Sequence, residues 1–548
     1  MNIPKKIRTE ISDMLISALK ALDLPADSLE ITIPKDRQFG DFTTNIAMIS
    51  ARYAKCSPCE VAQNILNNMD FTSSSVRKTE IAGAGFINFY IHEQWLDEVI
   101  PAVESDGDSY GCAEKKNASV NIEYVSANPT GPMHMGNARG GALGDGIASV
   151  LERAGYDVTR EFYLNDAGNQ IEKFAASLEA RYLQQFGDCP FPEDGYHGND
   201  ITKRALEFIS EHGSEYGVTA TPELRSALME YSLEKNITSM KKLLSRYNIN
   251  YDIWFHESSL YENDDVKDTI DELTKVGATY EKDDAVWLKS LDKDEVLVRS
   301  NGIPTYFAAD IAYHRNKLVT RNFSRAINVW GADHHGHIAR MKHALSLLGI
   351  DPERLHVVTM QMVRLVKAGE TVKMSKRTGG AITLNDLLDD IGIDAARYFF
   401  NMRLPDSHFD FDLDLAVRQS SDNPVFYVQY AHARICSILS QIEERGVPFT
   451  TGDLTLLNAP EELALIRTIS AFPDEIELAA QMLEPSRLTH YATSIAAHFH
   501  TFYNACRVLS DDIGLMAARA RLINAAKITL KNTLSVLGVS APERMQSR

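Results

Sequence analysis

At 548 residues, 44% hydrophobic and 24% charged, the chain has a soluble composition and enough material for several domains rather than one. No apolar run approaches the ~18 residues of a membrane span, and a net charge of −19 argues against a nonspecific grip on nucleic acid along the whole surface. The six cysteines are scattered without a disulfide framework and the opening turns are charged, so a cytoplasmic protein with no DNA or membrane partner is expected.

The first segment, MNIPKKIRTEISDMLISALKALDL, sets Ile7, Ile11, Leu15 and Leu22 at helical spacing and predicts a core-facing helix. A SLEITIP strand, further helices and IAGAGFINFYI as a closing strand make residues 1–115 an α+β unit. Within it Cys56 and Cys59 form a lone CSPC pair, read as packed or partly exposed thiols. From Ser119 onward VNIEYV, DVTREFYL, RAINVW and LHVVTMQMVRLV alternate with helices, which predicts a parallel sheet of βαβ crossovers over residues 116–400. Long amphipathic stretches at about 190–265 interrupt that rhythm and read as a helical insertion. Strand signals stop after SHFDFDLDLA, so residues 401–548 are predicted all-α. Beyond Cys506 seven bases stand against three acids; a local basic surface for a structured polyanion and a merely solvated helix face both fit.

NPTGPMHMGNARGG, Asn128 to Gly141, lies between a strand and a glycine-rich helix. In open parallel sheets ligands sit beyond the carboxyl strand ends, and phosphates sit on helix N-termini. His134 there can follow charge developing on a phosphoryl group, Gly136 and the later glycines admit a nucleotide close to the backbone, and Asn137 adds an amide. A capping turn with an incidental histidine remains the alternative. Downstream, GETVKMSKRTGG places Lys373 and Lys376 three apart in a glycine-flanked loop, suited to bringing two ammoniums onto one polyphosphate, or to an ordinary basic surface. ADHHGH lacks the His-x-x-x-His spacing of zinc ligands, so no metal site is predicted; Asp333 is read as a helix cap. Among Phe426, Tyr427, Tyr430, Phe499, Phe502 and Tyr503, most are expected in a core.

HMGN with KMSKR resembles the paired HIGH and KMSKS signatures of class I aminoacyl-tRNA synthetases. The longer strings NPTGPMHMGNARGGALGD, YLNDAGNQI, YFAADIAYH, VWGADHHGHIAR, DNPVFYVQYAHARI and PERM resemble the arginyl-tRNA synthetase family, and the likeness extends through QFGDFTTNIA and GAGFINFYI near the start. Asn137 replaces the second histidine of the first signature and Arg377 the final serine of the second. Some relatives with a degenerate second signature carry a compensating lysine where this chain has Gly131.

The resemblance implies a multidomain α/β protein: an N-terminal α+β tRNA-binding domain (1–115), a Rossmann-like catalytic domain (116–400) and an α-helical anticodon-binding domain (401–548). It implies activation of L-arginine by ATP to arginyl-adenylate and transfer to the 3′-terminal ribose of tRNA(Arg), through the 2′-OH. Mg²⁺ would arrive with ATP rather than on a dedicated protein site, and the protein would act as a monomer that activates arginine only with tRNA bound. Catalysis would fall to His134, Asn137, Lys373 and Lys376, with Gly136, Met374 and Ser375 also on ATP. Glu123, Tyr124, Val125, Ser126, Ala127, Asn128, His134, Tyr306, Asp310 and His334 would line the arginine pocket, with Glu123 or Asn128 on the α-ammonium. Asp310 is the candidate for the guanidinium, since a carboxylate meets that planar cation through two parallel hydrogen bonds; pairing with Arg315 or Lys317 is its structural alternative. A class I synthetase for another amino acid and a non-catalytic tRNA-binding paralogue are the competing functions.

Overall fold

The computed structural model describes residues 2–34, 36–213, 215–290, 293–372 and 382–545. The first helix, Ile3–Ala21, starts where the Asn2 side chain accepts from the Lys5 N–H; it buries Ile7, Ile11 and Leu15 as the spacing predicts, together with Ile3, while Leu22 is its half-buried C-cap. Behind it lies a three-stranded antiparallel sheet of β1 (Phe42–Thr44), β2 (Val76–Ala82) and β3 (Phe86–Ile91), ordered β1-β3-β2. One expectation fails here and one holds in part. SLEITIP contributes only one bridge, Thr32 to Thr43, and IAGAGFINFYI holds the hairpin turn as well as the expected strand, which is β3 over FINFYI.

The central sheet is parallel throughout: β4 (Ser119–Glu123), β5 (Asp157–Leu164), β6 (Ile253–His256), β10 (Arg325–Gly331) and β11 (Leu355–Met360), ordered β11-β10-β4-β5-β6. The chain lays strands to one side of β4 and then returns to its other side with β10, so the crevice between those two carboxyl ends is a switch point. β6 lies inside the stretch read as insertion. Only the helices Asn199–His212 and Pro222–Arg246 stand outside the sheet, packed around their own small core. Between β6 and β10 an unanticipated antiparallel sheet holds β7 (Thr279–Lys282), β8 (Ala285–Leu288) and β9 (Glu295–Val298).

The strand predicted from LHVVTMQMVRLV breaks after β11. The Gln361 N–H donates to the Pro405 carbonyl at 2.9 Å and Arg139 Nη1 donates to the Gln361 carbonyl at 2.7 Å, so the chain bends into a second sheet. There β12 (Val363–Lys367) pairs with β13 (Glu370–Thr371) and, in parallel, with β14 (Phe409–Asp412), which carries the α/β body past residue 400.

The remainder is helical: Pro424–Glu444, Pro460–Ser470, Phe472–Met482, Ser486–Ala505 and Ile513–Val536. Phe499 and Phe502 are buried as expected, whereas Tyr430 is exposed. Of the seven bases from Cys506 onward, three are ion-paired among the described residues: Arg519 with Glu462, Arg521 with Glu104 and Lys531 with Asp108. The fully buried Arg397, on the helix Ile393–Asn401, joins this unit to the body. It donates to Asp145 Oδ2 at 2.5 Å, to the Leu537 carbonyl at 2.7 Å and to the Tyr247 carbonyl at 3.0 Å. Gly538, at φ +66°, lies so close that a Cβ there would sit 2.2 Å from Arg397 Nε. The N-terminal unit leans on the same helical region through Lys5 with Glu477 and Arg8 with Asp474. No helix among the described residues is long and apolar enough to cross a membrane.

Candidate active site

A cleft of about 560 Å³ opens at the switch point, over the ends of β4 and β10. Its wall begins where β4 stops at Glu123. Val125 and Ser126 then take positive φ values of 71° and 44°, a conformation unfavourable for a β-branched residue and of the kind that persists where surrounding bonds over-determine it. Ser126 Oγ donates to Glu123 Oε1 at 2.9 Å and accepts from the Tyr163 N–H at 3.3 Å, which holds the bend.

Under the cleft lies a closed polar network. The helix Tyr306–Arg315 widens into a π-helical turn, Asn316–Thr320, which delivers Lys317 into the interior. Its ammonium, fully buried, donates to Glu123 Oε2 at 2.8 Å and Asn328 Oδ1 at 3.3 Å. Asn328 Nδ2 donates to Glu123 Oε2 at 3.0 Å and to His314 Nε2 at 2.9 Å, while His314 Nδ1 donates to the Asp310 carbonyl at 2.7 Å. Burial and the nearby Lys317 push the His314 imidazolium down to about 4, so it stays neutral and can accept on one nitrogen while donating from the other. Burial raises the Glu161 carboxyl, but Arg321 and Lys317 outweigh it and hold that carboxyl below its ordinary value. Both oxygens of Glu123 are thus engaged by this chain's own donors.

Asp310 faces the cleft from the same helix. The alternative partners are taken elsewhere: Arg315 Nε donates to Glu272 at 2.6 Å and Lys317 to Glu123. Asp310 Oδ2 instead accepts from His337 Nε2 at 3.1 Å, and Oδ1 has no partner among the described residues. Tyr306, about half exposed, stands one turn away on the same face, and His334 and Trp330 line the cleft opposite. Asp333 does not cap the following helix; the cap position is His334 and no side chain bonds there.

A second carboxylate, absent from the sequence reading, completes this end. Glu257 is buried, and its Oε2 has no hydrogen bond among the described residues. Burial, with the charges of Asp310 and Asp166, pushes its carboxyl up to about 7. Glu257 lies beneath the cleft rather than in its lining, close enough for the charge of Asp310 to raise its carboxyl, and two neighbouring carboxylates favour a cation between them. Nothing in WFHESS marks Glu257 as special; only the fold brings it to Asp310.

Of the other residues expected on arginine, Val125 and Ser126 reach the cleft. Tyr124 does not: it is buried, bonded to Asp145 at 3.4 Å. Ala127 packs on the core, and Asn128 accepts from Asn165 Nδ2 at 2.9 Å while donating to Gln170 at 2.5 Å.

The signature turn stands beside this cleft. His134 is exposed and a Cβ on Gly136 would meet nothing within 4 Å, so the start of the helix Gly136–Arg153 is open to a ligand. Asn137 Oδ1 accepts from the His134 N–H at 3.0 Å, which commits that oxygen to shaping the turn. The later glycines do a different job from the one expected. A Cβ would lie 2.2 Å from Tyr124 at Gly144, 2.8 Å from Ile249 at Gly141 and 3.1 Å from Pro485 at Gly146, so these glycines serve helix packing rather than nucleotide access. The Met135 N–H donates to the Ile382 carbonyl at 3.0 Å and the Leu384 N–H to the Met133 carbonyl at 2.9 Å, which sets the segment after the second signature beside the first. Lys373, Met374, Ser375 and Lys376 themselves lie outside the described residues. Among the described residues no cluster of three His, Cys, Asp or Glu is placed to hold a metal.

On the helical unit Phe426 and Tyr430 stack with ring centroids 6.2 Å apart, and the Arg434 guanidinium lies 4.0 Å from the Tyr503 ring. The thiols of Cys56 and Cys59 are exposed at the start of the capped helix Pro58–Asn67.

Three family models match the chain in succession. They are the arginyl tRNA synthetase N-terminal domain over residues 5–91, the class I (R) tRNA synthetase catalytic domain over 99–406, and the DALR anticodon-binding domain over 428–545. The arginine–tRNA ligase of Caldanaerobacter subterraneus subsp. tengcongensis is 53% identical, covering 99% of this chain and 100% of its own. That of Acetivibrio thermocellus is 52% identical over 99% of each. A Campylobacter jejuni structure carrying an arginyl-tRNA synthetase name superposes with a TM-score of 0.77 at 33% identity, covering 83% of this chain and 100% of that one. The Thermus thermophilus arginyl-tRNA synthetase gives 0.78 over 98% of this chain at 21% identity, a likeness of fold.

Proposed function

We infer the division of labour below from one premise: the chain belongs to the arginyl-tRNA synthetase family and is an ATP-using arginine–tRNA ligase. Asp310 takes the substrate guanidinium on its open Oδ1, and Glu257, ionised by the arriving cation, takes the other edge. Tyr306 covers the aliphatic stem, and His334 with the Val125–Ser126 bend lines the rest. The buried Lys317–Glu123–Asn328 network fixes the floor, so Glu123 shapes the pocket instead of meeting the α-ammonium. That group is left to Asn128 or to backbone carbonyls of the bend.

ATP lies along the open start of the Gly136 helix. The arginine carboxylate attacks the α-phosphorus in line, a new P–O bond forms, and the bond to pyrophosphate breaks. His134 and the Asn137 amide, with the helix N-terminus, stabilise charge on the reacting phosphate, while Lys373 and Lys376 meet the leaving pyrophosphate together with Mg²⁺ carried by the nucleotide. The 2′-OH of the tRNA's terminal ribose then accepts the arginyl group and AMP departs. The N-terminal α+β unit and the helical unit hold the tRNA, the latter offering Tyr430 and Phe426 for stacking of unpaired bases beside Arg434. The protein works as a cytoplasmic monomer.

The observation that carries the substrate assignment is Asp310, with one oxygen open to the cleft and neither nearby base paired to it. ATP–pyrophosphate exchange with each amino acid, with and without tRNA, tests it. Exchange with arginine alone, and only with tRNA(Arg) present, is expected; exchange with another amino acid overturns the pocket reading, and exchange without tRNA overturns the tRNA requirement.

A further inference from the structure

The helix Pro222–Arg246 takes no part in the central sheet, yet it touches the chain at both signature segments of the proposed nucleotide site. The first contact is at the signature turn. Pro129 and Pro132 have no N–H, so that stretch has few donors of its own with which to brace itself. Asn236 Nδ2, from the middle of the helix, donates to the Pro129 carbonyl at 2.8 Å. The amide is held that way round by Arg204 on the neighbouring helix Asn199–His212, whose Nη2 donates to Asn236 Oδ1 at 2.8 Å. Arg204 is in turn fixed by Glu207 at 2.6 Å. Three side chains thus serve to aim a single donor.

The second contact lies at the end of the same helix. Arg246 forks across the segment that follows the second signature, donating to Asn385 Oδ1 at 2.6 Å and Asp389 Oδ1 at 2.7 Å. Tyr247, at the helix C-cap, donates its buried hydroxyl to the Ala138 carbonyl at 3.1 Å, in the first turn of the signature helix. Among the described residues the two signature regions are joined directly by backbone hydrogen bonds around Met133, Met135, Ile382 and Leu384.

We propose that the helix Pro222–Arg246 is a splint that sets the spacing of the two signature segments, with Asn236 and Arg246 as its positioning residues. Neither touches substrate. They act through the Pro129 carbonyl and the Asn385–Asp389 turn, and they adjust where His134 stands relative to the segment downstream of Lys376. The inference rests on the reading that the His134 turn holds ATP, so the test includes that residue.

Asn236→Asp keeps the size and still accepts from Arg204, but no longer donates to Pro129; Arg246→Ala removes the fork. Each is measured by tRNA-dependent ATP–pyrophosphate exchange and by thermal melting, with His134→Ala alongside. Because small misplacements of reacting groups carry large rate penalties, each variant is expected to lower kcat about tenfold or more, with KM for arginine within about twofold of the parent and melting little changed. Asn236→Gln, which can donate again, should recover part of the rate. Full exchange in both variants while His134→Ala is inactive overturns the splint alone. Full exchange in His134→Ala overturns the ATP reading beneath it. A fall in kcat matched by a large loss of melting temperature and no recovery in Asn236→Gln makes the contacts structural and also overturns the proposal.

Discussion

The two halves of this site are built on opposite principles. The proposed arginine side rests on buried charges: Lys317 donates to Glu123, Glu161 accepts from Arg321 and Tyr313, and these bonds are made before any substrate arrives. The phosphate side offers an exposed histidine, an open glycine and the start of a helix. Recognition of a cation must discriminate in the ground state and needs carboxylates held out of water. Stabilisation of a departing pyrophosphate matters most in the transition state and needs positive charge that can arrive with the reaction.

Breaking the arginine side should cost most. Asp310→Ala is expected to lower kcat/KM for arginine by about 4 kcal/mol, on the order of a thousandfold, with KM carrying the loss and ATP binding little changed. Asp310→Glu should fail as well, since an added methylene displaces a bidentate geometry. Steady-state kinetics at varied arginine decide this, and a change of only a few fold would remove Asp310 from the pocket. Lys317→Ala strikes the floor itself. Leaving Glu123 and Glu161 buried without their shared ammonium should destabilise the protein by about 3 kcal/mol, read as a lower denaturant midpoint. A midpoint equal to the parent's would mean that water repairs the network.

On the other side, Lys376→Ala should slow adenylate formation by about 3 kcal/mol, or on the order of a hundredfold, with KM for arginine unmoved. Rapid-quench measurement of adenylate separates this from binding. The smallest effect sharpens the comparison most. Glu257 sits near 7 in the free protein and must ionise to meet a cation, so arginine binding should release a proton below that pH. KM for arginine should therefore fall as the pH rises toward about 7 and level off above it. Glu257→Gln should flatten this profile and raise KM at high pH about tenfold. An unchanged slope in the variant would assign the titration to another group.

The signatures were legible because they are local: His134, Gly136 and Asn137 occupy one turn, and Tyr306 and Asp310 one helical face. What escaped was tertiary. Glu257 follows a four-residue strand and is defined only by its distance from Asp310; Lys317 looked like a candidate partner for Asp310, and a π-turn sends it to Glu123 instead. β6 was absorbed into the insertion because four residues between long helices carry too little periodicity to read as a strand. Charge counting leaves the bases after Cys506 open between a polyanion surface and a solvated face, because it cannot see Glu104 and Asp108 arriving from the N-terminal side to pair with Arg521 and Lys531. The glycines after Gly136 were read as access for a ligand, yet the nearest atoms to Gly144 belong to Tyr124.

Arg397 carries a consequence for how the chain reaches this structure. One guanidinium ties Asp145, 252 positions upstream, to the Leu537 carbonyl, 140 positions downstream, with Gly538 leaving no room for any other side chain. Contacts so distant in sequence form late, after the loop-closure entropy has been met by local structure. The helix that presents His134 is thereby linked, through Asp145 and Arg397, to residues near 537. The α/β body and the helical unit should consequently fold as one slow cooperative event, and a chain cut before Leu537 would leave the buried Arg397 Nε without its acceptor while the pairing with Asp145 persists.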